Sequence, residues 1–201
     1  MYRTMIAGNS EEALMSEWHK SITSEMKQFI AEQKVFFVAT APHEGRINLS
    51  PKGMDTFRVV SDNRVLYLDL TGSGNETAAH LLENGRITIM FCSFDKTARI
   101  MRLYGRGRAI HQRDDKWNEY LAMFPAEPGV RQIMAIDVET AMTSCGYGVP
   151  RLEGLEERDT LRKYWESRSG DAAVKYQRDK NLESIDGLPT GIFAAVTRSA
   201  K

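Results

Sequence analysis

Cysteine is scarce in this chain: Cys92 and Cys145 are the only two among 201 residues, too few for a disulfide scaffold. The four histidines, His19, His43, His80 and His111, are scattered without the spacing of metal ligands, so no structural zinc site is expected. Net charge is missing too, because 27 Lys and Arg are matched by 27 Asp and Glu, and no field of one sign draws the chain to nucleic acid or acidic lipid. No apolar run comes near the roughly 20 residues of a membrane helix, and the first residues lack the unbroken hydrophobic stretch of a signal peptide. A cytoplasmic protein with reduced cysteines, no membrane partner and no nucleic-acid partner is expected.

What is present is an ordinary globular composition, 42% hydrophobic and 27% charged, enough for one sizeable core and a single domain over 1–201. Leu14, Met15 and Trp18, then Ile22, Met26, Phe29 and Ile30, recur at helical intervals and predict helices over the first thirty or so residues. From Val35 the pattern changes to short β-branched and aromatic runs. Val35–Thr40 and Ile47–Ser50 read as a hairpin, and further strands are expected at Thr56–Val60, Arg64–Leu70, Arg86–Phe94, Ile100–Ile110 and Gln132–Val138. Six or seven strands joined mostly by short polar turns fit an antiparallel barrel and disfavour a doubly wound parallel sheet. Helices are expected at Asn75–Glu83 and Asp114–Phe124, and again at Glu157–Ser167 and Asp171–Asn181, where alternating charges describe a solvated face.

Four segments could carry chemistry. Leu70-Thr71-Gly72-Ser73-Gly74-Asn75-Glu76-Thr77 runs from a strand through two glycines into the first turn of a helix. Free amides there, with Ser73, Asn75 and Thr77, suit an anion such as phosphate; the same residues would also serve as a plain capped helix start. Asn48-Leu49-Ser50-Pro51-Lys52-Gly53 breaks a strand pattern with proline and glycine, which places Ser50 and Lys52 on one face beside a ligand or leaves Lys52 in an exposed turn. The arginine-rich strand Arg99–Arg108 offers another phosphate partner, with Arg102, Arg106 and Arg108 of one parity. Thr143–Pro150 reads as a small-residue loop, with Cys145 and Tyr147, able to close over a flat ligand; Cys145 reads as an inert thiol before it reads as a nucleophile.

In this order the segments resemble the pyridoxamine 5'-phosphate oxidase-related family that binds flavin mononucleotide (FMN). The likeness spans about Met26 to Ile110 and rests on Val35–Thr40, Asn48–Gly53, the strand-turn-helix from Tyr67 to Asn84-Gly85, and Arg102-Leu103-Tyr104-Gly105-Arg106-Gly107. Ser144–Pro150 and Ser184–Thr190 look like a less studied branch of the family rather than the vitamin-converting oxidase itself. The resemblance implies a mainly β (α+β) split barrel with flanking helices: N-terminal helices over 1–33, barrel over 34–145, C-terminal helical extension over 146–201. It also implies a homodimer holding FMN at the subunit interface, and an oxidoreductase passing hydride or electrons to a small-molecule substrate. Carried over by position, Ser50, Lys52 and Gly53 lie along the flavin or ribityl side, and Ser73, Asn75 and Thr77, assisted by Arg102, hold the phosphate. One departure is plain: the oxidase carries an arginine-lysine pair where this chain has Glu76 and Thr77. Lys52, Arg102 and the helix amides are the expected replacements. The oxidase's C-terminal arginine pattern has no clear counterpart, so pyridoxamine phosphate is not the first expected substrate. The rivals are a non-catalytic binder of flavin, deazaflavin or haem on the same barrel, and a cofactor-free dimeric interaction module.

Overall fold

The structure, a computed structural model, describes residues 16–195. In chain order its elements are β1 (Glu17–His19), α1 (Ser24–Glu32), β2 (Phe36–Thr40), β3 (Asn48–Lys52), β4 (Phe57–Ser61), β5 (Arg64–Leu70), α2 (Glu76–Asn84), β6 (Arg86–Cys92), β7 (Arg99–Ile110), α3 (Trp117–Leu121), β8 (Val130–Cys145), α4 (Thr160–Glu166) and α5 (Ala172–Lys180). Helix α1 starts where the Thr23 hydroxyl accepts the Met26 N–H, and it buries Met26, Phe29 and Ile30, which share one face at three- and four-residue spacing. Helix α2 stops at Gly85, whose φ of 72° lies in the left-handed region that a glycine enters without strain.

All strand pairings are antiparallel, in the order β3-β2-β6-β7-β8-β5-β4, with β1 beside β8. The sheet curls on itself. Phe36 on β2 and Phe57 on β4 stand near opposite ends of that order, yet their ring centroids lie 5.0 Å apart, and Phe57 meets Phe91 of β6 at the same distance. The β3-β2 end and the β4 end touch through aromatic side chains with no ladder between them, which leaves the barrel split. Successive side chains on a strand face opposite ways. Val65 and Tyr67 of β5 and Met134 and Ile136 of β8 therefore enter the barrel core, while Leu66, Leu68, Ile133 and Ala135 pack outward with Trp117, Tyr120 and Phe124. Burial on both faces explains why Arg64–Leu70 reads as a continuous apolar run. At Gly105, where the β7–β8 register shifts, a Cβ would stand 2.1 Å from the Asp137 carbonyl oxygen, so only glycine fits.

Three expectations change. Trp18 lies on strand β1 rather than a helix, stacked 5.8 Å from Tyr104, and Leu14 and Met15 fall outside the described residues. The sheet has eight strands, not six or seven. Strand β8 runs to Cys145, so Thr143, Ser144 and Cys145 belong to a strand where a loop was expected; pairing with β7 along its length and with β1 opposite 141–143 overrides the small-residue composition. No helix among the described residues is long and apolar enough to cross a membrane.

Candidate functional site

A cleft of about 480 Å³ opens where β3, the end of β5 and the start of α2 converge. Its floor is a buried charge network. Asp69 accepts from Lys52 Nζ at 3.0 Å, from Arg131 Nε and Nη2 at 3.1 and 2.8 Å, and from Gln132 Nε2 at 2.8 Å. The Asp69 and Arg131 side chains are 3% and 4% exposed, so each depends on the other for compensation. Burial by itself would raise the Asp69 pKa. Arg131, then Lys52 and the hydrogen bonds from Gln132 and Lys52, overcome it and hold the carboxyl well below the usual carboxylate range.

The same network shapes the glycine loop. Arg131 Nη1 donates to the Gly74 carbonyl at 2.7 Å, and Asn181 Nδ2 donates to the Gly72 carbonyl at 3.0 Å. In a trans peptide the N–H points opposite its carbonyl. With these two carbonyls turned into the network, the N–H groups of Ser73 and Asn75 face away from it. Asn75 does not cap its helix: Nδ2 donates to the Asn181 carbonyl at 3.1 Å and Oδ1 accepts from Gln132 at 2.6 Å. The amides of Glu76, Thr77 and Ala78 precede the Ala79 N–H to Asn75 carbonyl contact at 3.4 Å, which leaves them as donors for an anion. The C-terminal segment braces the loop further, with Trp165 Nε1 on the Thr71 carbonyl at 3.1 Å and Gln177 Nε2 on the Thr71 hydroxyl at 2.7 Å.

The opposite wall comes from β3. Ser50 donates to Asn48 Oδ1 at 2.9 Å, and Asn48 Nδ2 reaches the hydroxyls of Thr77 and Thr40, both at 3.1 Å, which ties β3 to the first turn of α2. Beyond Lys52 and Gly53 the chain turns through Met54 and Asp55, non-glycine residues with φ of 61° and 52°. Such a conformation costs about 1–3 kcal/mol per residue. It is held by Arg58, which donates to the Asp55 carboxylate at 2.7 and 2.9 Å and to the Asp55 carbonyl at 3.0 Å.

Ser50, Lys52, Gly53, Ser73, Asn75 and Thr77 all line this cleft. Arg102, Cys145 and Tyr147 do not join them within one chain. Arg102 sits on β7 between Met90 and Met142, where its charge bears on Cys92, and Cys145 and Tyr147 border a separate recess with Arg99 and Glu25. Arg102 pairs across β6 and β8 and does not border the cleft within one chain. Asp69, Arg131, Gln132, Gln177 and Asn181 escaped the sequence reading. A carboxylate inside the apolar run Arg64–Leu70 was the available signal, because a buried acid demands a buried base.

Fold and cleft together define an antiparallel split barrel with a polar ligand cleft at a strand-to-helix junction. Residues 22–145 match the pyridoxamine 5'-phosphate oxidase family profile. The pyridoxamine 5'-phosphate oxidase family protein ustO of Aspergillus flavus is 38% identical over 200 aligned residues, covering 90% of this chain and 80% of that one. The chain belongs to the pyridoxamine 5'-phosphate oxidase family. The fold agrees: a putative pyridoxamine 5'-phosphate oxidase from Lactobacillus delbrueckii superposes with a TM-score of 0.50 at 16% identity, over 61% of this chain and 94% of that one. The profile match ends with β8, so the braces from α4, α5 and residues 181–190 lie beyond it.

The residues present suit a flavin phosphate. A Cβ added at Gly72 would meet nothing within 4 Å, so the loop leaves open room for a ligand beside the uncapped amides. The charge balance differs from that of an arginine-lysine pair. Arg131 is committed to Asp69 and the loop carbonyls, Lys52 shares Asp69, and the Glu76 carboxylate accepts the Ile185 N–H at 3.0 Å. A phosphate here would be held chiefly by N–H and hydroxyl donors, because both nearby cations are paired with Asp69.

Proposed function

We propose that this protein is an FMN-binding flavoprotein that acts as a homodimeric oxidoreductase on a small molecule. The observation that carries the proposal is the cleft at the start of α2, with uncapped amides, an open glycine loop and Lys52 on one wall. The amides of Glu76, Thr77 and Ala78, with the Ser73 and Thr77 hydroxyls, would hold the phosphate. Ser50, Lys52 and Gly53 would line the flavin and ribityl side. FMN bound there supplies hydride or electron transfer. The Lys52 ammonium, positioned by Asp69, would place a positive charge beside the flavin, and Pro51 and Met54 would shield it from water at the rim. Among the residue types that commonly serve as axial haem ligands, only Met54 lines the cleft, which favours flavin over haem.

The test is to purify the protein, record its visible spectrum before and after adding FMN, and identify any released chromophore by mass. A flavin spectrum with FMN recovered supports the proposal, while a colourless protein that takes up no FMN contradicts it. Light scattering after size exclusion reads the dimer in the same preparation.

A further inference from the structure

Beside the cleft lies a second recess of about 730 Å³. Its wall is shared with the cleft through Pro51–Met54, Thr71–Gly72 and Leu161, so molecules in the two spaces would touch across that boundary. Its other side comes from the C-terminal segment, with Leu155, Tyr164, Trp165 and Tyr176. Trp165 is fixed by its hydrogen bond to the Thr71 carbonyl, and Tyr164 and Tyr176 meet it edge-on, with centroids 4.9 and 5.8 Å away and interplanar angles of 89° and 79°.

Of the charges bordering this space, Lys52 is ion-paired and Lys34, Glu156, Glu157 and Arg158 are exposed to water. Lys52 is paired with Asp69, Lys34 donates to the Leu155 carbonyl, and Glu157 accepts the Met54 N–H, while Glu156 and Arg158, of opposite sign, are exposed. Exposed, hydrated charges give a charged ligand little net attraction, whereas a flat apolar one meets aromatic edges and aliphatic side chains. The size suits a small molecule.

We infer that this recess is the compartment for the second reactant, and that it takes an uncharged planar aromatic compound. The role as a reactant site rests on the proposed FMN binding, because it is contact across Lys52, Gly53 and Gly72 that would bring the two molecules together. The binding chemistry stands on the recess itself.

The experiment titrates the full chain, with and without added FMN, with 2-naphthol and with 2-naphthoate, which share a ring system and differ in charge. The naphthol should bind at least tenfold more tightly than the naphthoate. Tyr164→Ala, at an exposed position, and Tyr176→Ala should each weaken naphthol binding about tenfold without changing the affinity for FMN. Failure of the naphthol to bind a folded protein, equal or tighter binding of the naphthoate, or wild-type affinity in both variants would overturn the inference. Tyrosine-dependent naphthol binding without any FMN uptake would instead keep the aromatic pocket and overturn both the cofactor and the reactant role.

Discussion

Two arginine-containing recesses of this barrel are built differently. In the cleft at the start of α2, Arg131 and Asp69 are almost wholly buried, and they are hydrogen-bonded by neighbours from two strands and the glycine loop. In the recess bordered by Cys145 and Tyr147, Arg99 pairs with Glu25 at 2.6 Å where the carboxylate is 72% exposed, and water can replace either partner. A buried pair fixes geometry because breaking it strands a charge; an exposed pair costs little to lose. The cleft can therefore hold a ligand loop in one shape, and the other recess has no such frame.

The sharpest way to break this contrast is Asp69→Asn, which leaves Arg131 buried without its counter-charge. Unfolding by urea should show a loss of about 3–5 kcal/mol. The pH dependence follows the same group. Because folding lowers the Asp69 pKa, its stabilisation is complete above the ordinary carboxylate value and declines as the pH falls below about 4, where the unfolded chain takes up a proton that the folded chain refuses. The variant should lose that part of the acid slope. An equal slope in both proteins would remove Asp69 from the centre of the network.

A middle-sized effect is expected from Asn181→Ala, which removes the donor to the Gly72 carbonyl far from the matched family region. Its cost should be about 1–3 kcal/mol, together with weaker FMN binding, read by denaturation and calorimetry. Gly72→Val tests the ligand side alone. The φ of Gly72 is not in the left-handed region and its Cβ would enter open space, so stability should stay within about 0.5 kcal/mol while FMN affinity drops at least tenfold. The smallest effect belongs to the other recess: Arg99→Ala should cost no more than about 1 kcal/mol and leave FMN affinity unchanged. A large loss there would erase the contrast between the two sites.

Much of the barrel was legible because period-two patterning and turn residues are local. The run at Arg64–Leu70 matches β5 residue for residue, and Asn84-Gly85 marks the end of α2. Strand β1 was hidden because three residues, Glu17–His19, form it only by pairing with β8, and their spacing with later apolar residues mimics a helix. For the site, Ser50, Lys52, Ser73, Asn75 and Thr77 share one cleft: Ser50 and Lys52 sit two residues apart on β3, and Ser73, Asn75 and Thr77 span the glycine turn into α2, both of which sequence shows. What holds them was not legible. Asp69 meets Arg131 across 62 residues and Asn75 meets Asn181 across 106, and no local pattern encodes contacts of that range. Arg102 entered through the family resemblance, and strand parity, which assigns a face and not a location along the barrel, could not test that placement.

The most direct measurement is calorimetric titration of the same folded preparation with FMN and with riboflavin, which differ by the phosphate alone. Binding of FMN at least a hundredfold tighter than riboflavin, about 2.7 kcal/mol, is predicted if the α2 amides and the Ser73 and Thr77 hydroxyls receive that phosphate. Equal affinities, or no heat with either compound, would contradict it.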